Sequence, residues 1–517
     1  MKRLIPLVVL VLAVSGLVSG CSRTAQEPIQ TPTPTVSLPT LTPTTPTPTP
    51  ASTALDQYIS QKLNWTACEK VAECAQLLVP IDYNNPQSGN LQLALIRRPA
   101  RDPKLRKGSI VVNPGGPGGS GYDYVKSSGK ILGPTATLIY DVVGFDPRGV
   151  SRSSPVKCLT AEQTDRFYSS DGSPETDAQA TQAFLLGREF AKSCDYSAPG
   201  LLGFLGTRES AQDLNILRAA LGEKKLNYVG KSYGTFLGAE FAQRFPTKVG
   251  RMVLDGAIDP NLDADGFAAG QSTGFERALQ AFLKDCVTRA SCALGRSTER
   301  AQKRLNLFFK QLDATPETVG NRKLTQALGI LGVAASLYSK SSWPVLRSAL
   351  SQGLQGNGAG LLALSDYYSN RNPDGTYADN SLDAFYAISC MDRADTKGID
   401  ATQALATKLT ENNSSTFGSF IAWGDTPCQS WPVKATLQAG KITATGSGPI
   451  VVVGTTRDPA TPIEWAQSLA AQLQNGVFVA RDGDGHTGYR QGSSCVDQAV
   501  DLYLTKGTAP QDGLFCA

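Results

Sequence analysis

The chain has 517 residues, 41% of them apolar and 18% charged, which is the composition of a globular protein with a large core. Its net charge of only +4 argues against a nucleic-acid-binding protein, which needs an excess of Lys and Arg to neutralise phosphates. The chain has one histidine, His486, and a single histidine excludes an HExxH zinc site, a three-histidine metal site and a Cys/His zinc finger.

Residues 1–20 have the pattern of a secretory signal peptide: two basic residues, an apolar run over 4–14 and then small residues. The run is too short for a comfortable bilayer span of about 20 apolar residues, and a short N-terminal anchor helix is the alternative. The letters VSGC at 18–21 resemble a bacterial lipobox, which implies cleavage before a lipidated Cys21. We therefore expect an exported protein that a lipid on Cys21 anchors to the cell membrane, on the side facing the cell wall.

Residues 21–54 are predicted to be a linker. Nine Thr and seven Pro fill 16 of the 20 positions from Thr31 to Pro50. Because Pro has no N–H donor and no apolar residue recurs, this stretch cannot form a core and is expected to be an extended spacer.

The cysteine count supports export. Eleven cysteines minus the lipidated Cys21 leave ten, and an even number in an exported protein predicts five disulfides. Ten buried free thiols are the alternative. Connectivity does not follow from sequence, so pairing of neighbours is a hypothesis, and it gives Cys68–Cys74, Cys158–Cys194, Cys286–Cys292, Cys390–Cys428 and Cys495–Cys516.

Short apolar runs, each followed by a turn or loop, predict the strands of the folded body. The runs are 109–112, 138–145, 226–229, 252–254, 450–453 and, more weakly, 477–480. Val- and Ile-rich runs separated by helical stretches indicate a parallel sheet buried on both faces, with the ligand site beyond the carboxyl ends of its strands.

The strand pattern stops between the fourth and fifth runs. Apolar spacing there predicts helices over 275–286, 300–312, 330–338 and 343–352. The sequence thus predicts an α/β core over 55–265 and 432–517, with a mostly helical insertion over 266–431 placed before the penultimate core strand.

The GKSYG motif at residues 230–234 follows the third run and precedes a predicted helix over 235–244. A G-x-S-x-G sequence between a strand and a helix is typical of a nucleophile elbow, whose small residues allow a tight turn that presents the serine hydroxyl. An ordinary glycine-rich turn is the alternative. The context favours Ser232 as a catalytic nucleophile.

A serine hydroxyl needs a base, and His486, in the glycine-rich loop after the last run, is the one histidine that could serve. The acid that orients the imidazole lies between Ser and His in the chain order of this fold, which indicates Asp458 after the penultimate run. Four other acids lie in these loops: Asp255 and Asp259 are alternative acids, and Asp482 and Asp484 are interpreted as turn residues.

Acyl transfer also needs backbone N–H donors for the oxyanion. We expect them from Tyr233, directly after the nucleophile, and from Gly115 and Gly116 in the loop after the first run. This loop, residues 113–121, has five glycines in nine positions, so its N–H groups can turn inward without side-chain clashes. A phosphate cradle is excluded, because no GxxxxGK[ST] motif and no adjacent lysine is present.

The segments NPGGPGGSG, DPRGVSRSS, GKSYGTFLG, TRDPATP and GHT together resemble α/β-hydrolase peptidases related to prolyl aminopeptidase, especially the secreted tripeptidyl aminopeptidases of actinobacteria and their lipoprotein relatives. The resemblance spans about residues 55–517. It implies the triad Ser232, Asp458 and His486, the helical insertion as a cap, and cleavage near a free N-terminus. An Asp146–Arg148 pair is expected to brace the floor of the site.

Cleavage near a free N-terminus needs an anion that binds the substrate ammonium. The segment over 387–395 looks like a family signature in the late cap, and Asp392 within it is the candidate anchor. Pairing of Asp392 with Arg393 or another cation is the alternative.

These observations predict a serine aminopeptidase that releases short N-terminal peptides from peptide substrates, with no metal, organic cofactor or nucleic-acid partner. An esterase or lipase would use the same triad with a different pocket. A non-catalytic surface lipoprotein on a hydrolase scaffold is the third alternative.

Overall fold

The computed structural model describes residues 51–127, 129–393 and 397–517, with side chains from residue 55 onward. The predicted signal peptide, Cys21 and residues 22–50 of the predicted linker lie outside these residues. The last four linker residues, 51–54, are helical rather than extended, so the linker prediction is wrong at its end. The strands of the described residues are β1 (Thr66–Glu69), β2 (Ala72–Pro80), β3 (Asn90–Arg98), β4 (Gly108–Asn113), β5 (Tyr140–Phe145), β6 (Leu226–Lys231), β7 (Val249–Asp255), β8 (Glu317–Val319), β9 (Arg322–Leu324), β10 (Ile450–Arg457), β11 (Gly476–Asp484) and β12 (Leu514–Cys516).

Ten of these strands form one sheet in the order β1-β2-β3-β5-β4-β6-β7-β10-β11-β12. The pairs from β1 to β5 along this order are antiparallel, and all the later pairs are parallel. The parallel strands β4 and β5 are buried along their whole length. The predicted α/β-hydrolase fold class, with a mostly parallel sheet, is confirmed.

Five of the six predicted runs match strands closely, and the run over 138–145 needs a correction. Its first two residues end a helix, and the strand begins at Tyr140. The antiparallel strands β1 to β3 were not predicted, because β2 and β3 alternate buried and exposed residues instead of forming continuous apolar runs.

Helices flank the sheet and fill the insertion. They are α1 (Ala51–Ile59), α2 (Gly121–Ser127), α3 (Pro134–Ile139), α4 (Ala161–Ser169), α5 (Asp177–Ser197), α6 (Thr207–Ala220), α7 (Tyr233–Arg244), α8 (Ala264–Val287), α9 (Thr298–Ala314), α10 (Gln326–Leu337), α11 (Trp343–Gly353), α12 (Ala359–Ser369), α13 (Ser381–Asp392), α14 (Gly398–Asn412), α15 (Gly418–Trp423), α16 (Thr426–Gln429), α17 (Ile463–Gln472) and α18 (Ser494–Lys506). In the part of the chain that the structure covers, no helix has the length and apolarity needed to cross a bilayer.

The four helices predicted in the insertion correspond to α8, α9, α10 and α11. The cap also receives a segment that lies earlier in the chain. Helix α5 packs against α16, and Phe190 and Cys194 of α5 share an apolar cluster with Tyr386 and Cys428 from the insertion. The cap is therefore built from two parts of the chain, one between β5 and β6 and one between β7 and β10.

All five predicted disulfides are present: Cys68–Cys74, Cys158–Cys194, Cys286–Cys292, Cys390–Cys428 and Cys495–Cys516. The second closes the segment that carries α4 and α5, and the fourth joins α13 to α16. Both lie in the apolar cluster that unites the two parts of the cap.

The expected Asp146–Arg148 pair is not formed. The Arg148 guanidinium is fully buried and binds Asp213 with two hydrogen bonds, of 2.7 Å from Nε and 2.6 Å from Nη2. Asp146 accepts from the Ser120 hydroxyl at 2.5 Å and lies 3.4 Å from the Arg152 guanidinium. A planar guanidinium is best satisfied by a carboxylate that offers both oxygens, and Asp213 in α6 does so.

Candidate active site

Ser232 occupies the turn between β6 and α7. Its backbone has φ 56° and ψ −128°, a strained conformation for a residue with a side chain. The turn is packed too tightly for larger neighbours: a Cβ on Gly230 would lie 2.2 Å from the Gly234 carbonyl oxygen, and a Cβ on Gly234 would lie 2.8 Å from that of Asn113. The GKSYG motif therefore forms a nucleophile elbow, as predicted.

His486 and Asp458 meet at the same edge of the sheet, where β11 and β10 end. The imidazole Nδ1 lies 2.8 Å and 2.9 Å from the two carboxylate oxygens of Asp458. Because an ionised carboxylate is purely an acceptor, the imidazole proton belongs on Nδ1. The Nε2 atom is buried and has no hydrogen-bond partner among the described residues, so it is the nitrogen free to act as a base.

The Asp458 carboxylate is fully buried and is held from several sides. It accepts the N–H groups of Ala460 and Thr461 at 3.0 Å and that of Thr487 at 2.9 Å. The Thr461 hydroxyl lies 3.1 Å from one carboxylate oxygen and 3.3 Å from the imidazole Nδ1. These donors fix the direction of the carboxylate, and Thr461 is a contact that our sequence analysis missed.

The other acids considered from the sequence are engaged elsewhere. Asp255 accepts the backbone N–H groups of Gly488 and Tyr489, and Asp259 accepts the Gln472 side-chain amide. Asp482 and Asp484, the two acids just before His486 in the chain, both bind the Arg457 guanidinium. The structure thus pairs the imidazole with Asp458, as the sequence predicted.

The end of β7 connects the nucleophile to the imidazole. The Ser232 N–H donates to the Asp255 carbonyl oxygen at 3.0 Å. The next residue, Gly256, has φ +68°, and a Cβ there would lie 3.3 Å from His486 Cε1. A glycine at this position lets the imidazole lie close to the turn that holds Ser232.

The glycine loop packs directly on the elbow. Gly115 has φ +96°, and a Cβ there would lie 2.8 Å from Ser232 Cβ and 3.0 Å from the Tyr233 nitrogen. The prediction for Gly115 as a donor needs a correction, because its N–H already donates to Asn113 Oδ1 at 2.9 Å. The Gly116 and Tyr233 N–H groups make no hydrogen bond within the described ranges, which leaves them as the candidate oxyanion donors.

Asp392 does not have the surroundings of a substrate anchor. Its side chain, at the end of α13, is buried, and its two oxygens accept the Thr207 N–H at 2.8 Å and the Thr207 hydroxyl at 2.6 Å. The same hydroxyl binds the Tyr233 phenol oxygen. Burial raises the pKa of Asp392 to about 7, against the opposing effect of the Thr207 hydrogen bonds. A carboxylate with both oxygens occupied and little solvent contact is not available to a substrate ammonium, so this prediction is replaced by a role in fixing Tyr233.

The cap touches the histidine loop directly. The His486 N–H donates to the carbonyl oxygen of Tyr338, just after α10, at 2.8 Å, and the Tyr338 ring meets the imidazole edge-on at 5.2 Å between centroids. Nearby, the Lys340 ammonium lies 2.7 Å from the Asp484 carboxylate. Sequence reasoning missed both contacts, because no local pattern links residues 338–340 to a loop more than 140 positions later.

The comparisons with known proteins agree with this geometry. Residues 414–516 match the family described as TAP-like protein. Over 493 residues the chain is 36% identical to serine protease Hip1 of Mycobacterium tuberculosis, and the match covers 89% of this chain and 91% of that protein. The chain belongs to the TAP-like family of α/β-hydrolases.

Two further relatives show the range of names within this family. The chain is 35% identical over 478 residues to carboxylesterase B of Mycobacterium tuberculosis, with 89% of this chain and 91% of that protein covered. It is 30% identical over 481 residues to tripeptidyl aminopeptidase of Streptomyces lividans, with 88% and 86% covered. As a TAP-like α/β-hydrolase, the chain is a serine hydrolase.

Proposed function

We propose that this serine hydrolase is an aminopeptidase that releases short peptides from free N-termini, with Ser232 as nucleophile, His486 as base and Asp458 as the acid that orients it. The observation that carries the proposal is the Asp458–His486 contact, which leaves a buried, unpaired Nε2 on a ring that packs against Gly256, the residue after the Asp255 carbonyl that binds the Ser232 N–H. The names of two relatives, a serine protease and a tripeptidyl aminopeptidase, support a peptide substrate.

The reaction then follows from the geometry. Ser232 Oγ attacks the scissile carbonyl carbon while its proton passes to His486 Nε2, and Asp458 stabilises the resulting imidazolium. The Tyr233 and Gly116 N–H groups donate to the oxyanion. The imidazolium returns the proton to the leaving amine as the C–N bond breaks, and a water molecule, deprotonated by Nε2, releases the acyl group from Ser232.

An esterase is the second candidate, and the 35% identity to a protein named carboxylesterase B favours it. The two activities share every step above except the leaving group, which is an alcohol in an ester and an amine in a peptide. Only the substrate pocket decides between them. The aminopeptidase proposal also requires an anion for the substrate ammonium, and Asp392 does not supply it.

Mass spectrometry of products from a ladder of peptides with free or acetylated N-termini tests the proposal. Short N-terminal fragments from the free peptides and none from the acetylated peptides are expected. Faster cleavage of acyl esters than of any peptide, with no dependence on a free N-terminus, would favour the esterase. Ser232→Ala should abolish both activities and block labelling by a fluorophosphonate, whereas Ser60→Ala, at an exposed position, should change neither.

We further propose that the protein is exported and anchored by a lipid on Cys21. The lipobox-like sequence at 18–21 and the five disulfides support this proposal, since disulfides persist in oxidising compartments. Metabolic labelling with a clickable fatty acid should mark the protein, and Cys21→Ser should remove the label. Equal labelling of the Cys21→Ser protein would contradict the anchor.

A further inference from the structure

A buried lysine lies next to the nucleophile in the chain. Lys231, the residue before Ser232, has only 9% of its surface exposed. Its ammonium donates to the Tyr489 carbonyl oxygen at 2.7 Å and lies 3.5 Å from both the Thr487 hydroxyl and the Asp255 carboxylate. An ammonium is removed from water only at a large free-energy cost unless such partners are present. All of these partners except Asp255 belong to the loop that carries His486.

Asp255 completes the contact from the end of the neighbouring strand β7. The carboxylate is fully buried, and it accepts the Gly488 N–H at 2.6 Å and the Tyr489 N–H at 3.0 Å. Burial raises the pKa of Asp255, and the Lys231 ammonium and these N–H groups act in the opposite direction. Lys231 and Asp255 therefore bind the backbone of Gly488 and Tyr489 and the side-chain hydroxyl of Thr487, in the three residues that follow His486.

Three further polar groups of this loop are also bound. The Thr487 carbonyl accepts the Thr455 hydroxyl at 2.9 Å, and the Thr487 N–H donates to Asp458. On the other side of the imidazole, the His486 N–H is bound to the cap at the Tyr338 carbonyl. The loop thus reaches its position through contacts to β6, β7 and β10, and the two buried charges supply the contacts from β6 and β7.

We propose that Lys231 and Asp255 form a positioning pair that holds residues 487–489 and thereby keeps the His486 imidazole on Asp458 and facing Ser232. The pair touches neither substrate nor reacting atoms, and it acts through the loop backbone. The proposal rests on His486 being the base of the proposed function. It assigns a purpose to the lysine of the GKSYG motif and to the aspartate that the sequence suggested as an alternative acid.

A purely structural ion pair makes a different prediction, and the double variant Lys231→Met/Asp255→Asn separates the two. Removing one partner of a buried pair leaves an uncompensated charge and is strongly destabilising, but replacing both partners is often neutral. The double variant is therefore expected to fold with a melting temperature close to that of the wild type. In this variant, however, residues 487–489 lose the Lys231 ammonium as a donor, and one of the two acceptor oxygens of residue 255 is replaced by an NH2 group.

The single histidine makes the test direct, because 15N-histidine labelling gives signals from His486 alone. In the wild type the signals should be those of one tautomer, with the proton on Nδ1. In the double variant we expect mixed tautomers or broadened signals, a fall in kcat of about 10- to 100-fold, and a KM within about twofold of the wild type. Arg347→Met/Asp285→Asn is the matched control, since it replaces both partners of another ion pair, 2.6 Å apart, within the cap and away from the loop.

Unchanged kcat and unchanged imidazole signals in the folded double variant would overturn the proposal. If that variant does not fold, Lys231→Gln/Asp255→Asn keeps polar partners for the loop, and the same changes, smaller in size, are expected. The rate of fluorophosphonate labelling of Ser232 should fall in parallel with kcat, and it needs no peptide substrate. Failure of the aminopeptidase proposal therefore remains distinguishable: it would appear in the wild-type product analysis, with the labelling difference between variants intact.

Discussion

Asp392→Asn tests the revised role of this carboxylate. The structure predicts that Asn fits: its oxygen can accept the Thr207 N–H at the Oδ1 position, and its amide can donate to the Thr207 hydroxyl. The hydroxyl proton, which Asp392 accepts in the wild type, can then turn toward the Tyr233 phenol oxygen. The substitution removes the negative charge and leaves the volume unchanged. It should therefore report the free energy of ionising a buried carboxylate without creating a cavity.

The expected size of the effect follows from the pKa shift. Burial raises the pKa of Asp392 to about 7 in the folded protein, whereas a free Asp has a value of about 3.9. Because the folded-state pKa is the higher one, the stability contribution of the protonated group is fully present below about pH 4 and is lost as the pH rises through 7. A shift of about three units corresponds to roughly 4 kcal/mol at most. The side chain of the Asp392→Asn variant does not titrate, so only the wild type loses this stability as the pH rises. The free energy of unfolding of the variant minus that of the wild type should therefore increase by up to that amount between about pH 4 and pH 8.

The assay is chemical denaturation of both proteins at pH 4.5, 6 and 8, with Asp400→Asn, an exposed aspartate in the neighbouring α14, as the matched control. The difference between the wild type and Asp392→Asn should grow with pH, and the control should follow the wild type at every pH. Parallel pH profiles for all three proteins would refute the buried-carboxylate argument. In the same samples, cleavage of free over acetylated N-termini should be unchanged, and loss of that preference would restore Asp392 as the ammonium anchor.

Three further predictions address the site and the cap. Asp458→Asn should lower kcat by about 10³- to 10⁴-fold in steady-state assays, since the amide no longer enforces the Nδ1 tautomer, whereas Asp482→Asn on the same surface should leave kcat within about threefold. Gly115→Ala should lower the rate of fluorophosphonate labelling by at least about tenfold, because its Cβ would lie 2.8 Å from Ser232 Cβ; a wild-type rate would contradict the close packing. Replacing Cys158 and Cys194 by Ala should reduce the free energy of unfolding by about 2–5 kcal/mol, and unchanged denaturation midpoints would show that this disulfide does not stabilise the cap.

The features that sequence reasoning predicted correctly are those encoded locally. Ser232 is flanked by the small residues that its turn requires, and the buried strands appear as continuous runs of Val and Ile. The features it missed depend on partners far apart in the chain. Arg148 binds Asp213 rather than Asp146, and nothing near residue 148 in the sequence indicates this. Thr207, 185 positions earlier in the chain, donates hydrogen bonds to the Asp392 carboxylate, so this carboxylate is not free to bind a substrate ammonium.

The assignment of the acid shows where local patterns stop being informative. Asp255 ends β7 and Asp458 directly follows β10, at the same edge of the sheet, and by chain order either could orient a histidine that comes later. The fold distinguishes them through their hydrogen-bond donors. Asp255 uses both oxygens on the Gly488 and Tyr489 N–H groups, with the Lys231 ammonium beside it, whereas the imidazole Nδ1 contacts Asp458.

Asp458 receives a different set of donors, and this difference explains its role. The N–H groups of Ala460 and Thr461 come from its own turn, and the Thr461 hydroxyl and the Thr487 N–H complete its donors. Both of its oxygens lie within 2.9 Å of the His486 Nδ1. What distinguishes the two carboxylates is therefore the imidazole contact: Asp458 keeps both oxygens on Nδ1 while accepting its backbone donors, whereas Asp255 binds backbone N–H groups of the loop. The two aspartates thus divide between them the tasks of orienting the imidazole ring and holding the loop that carries it.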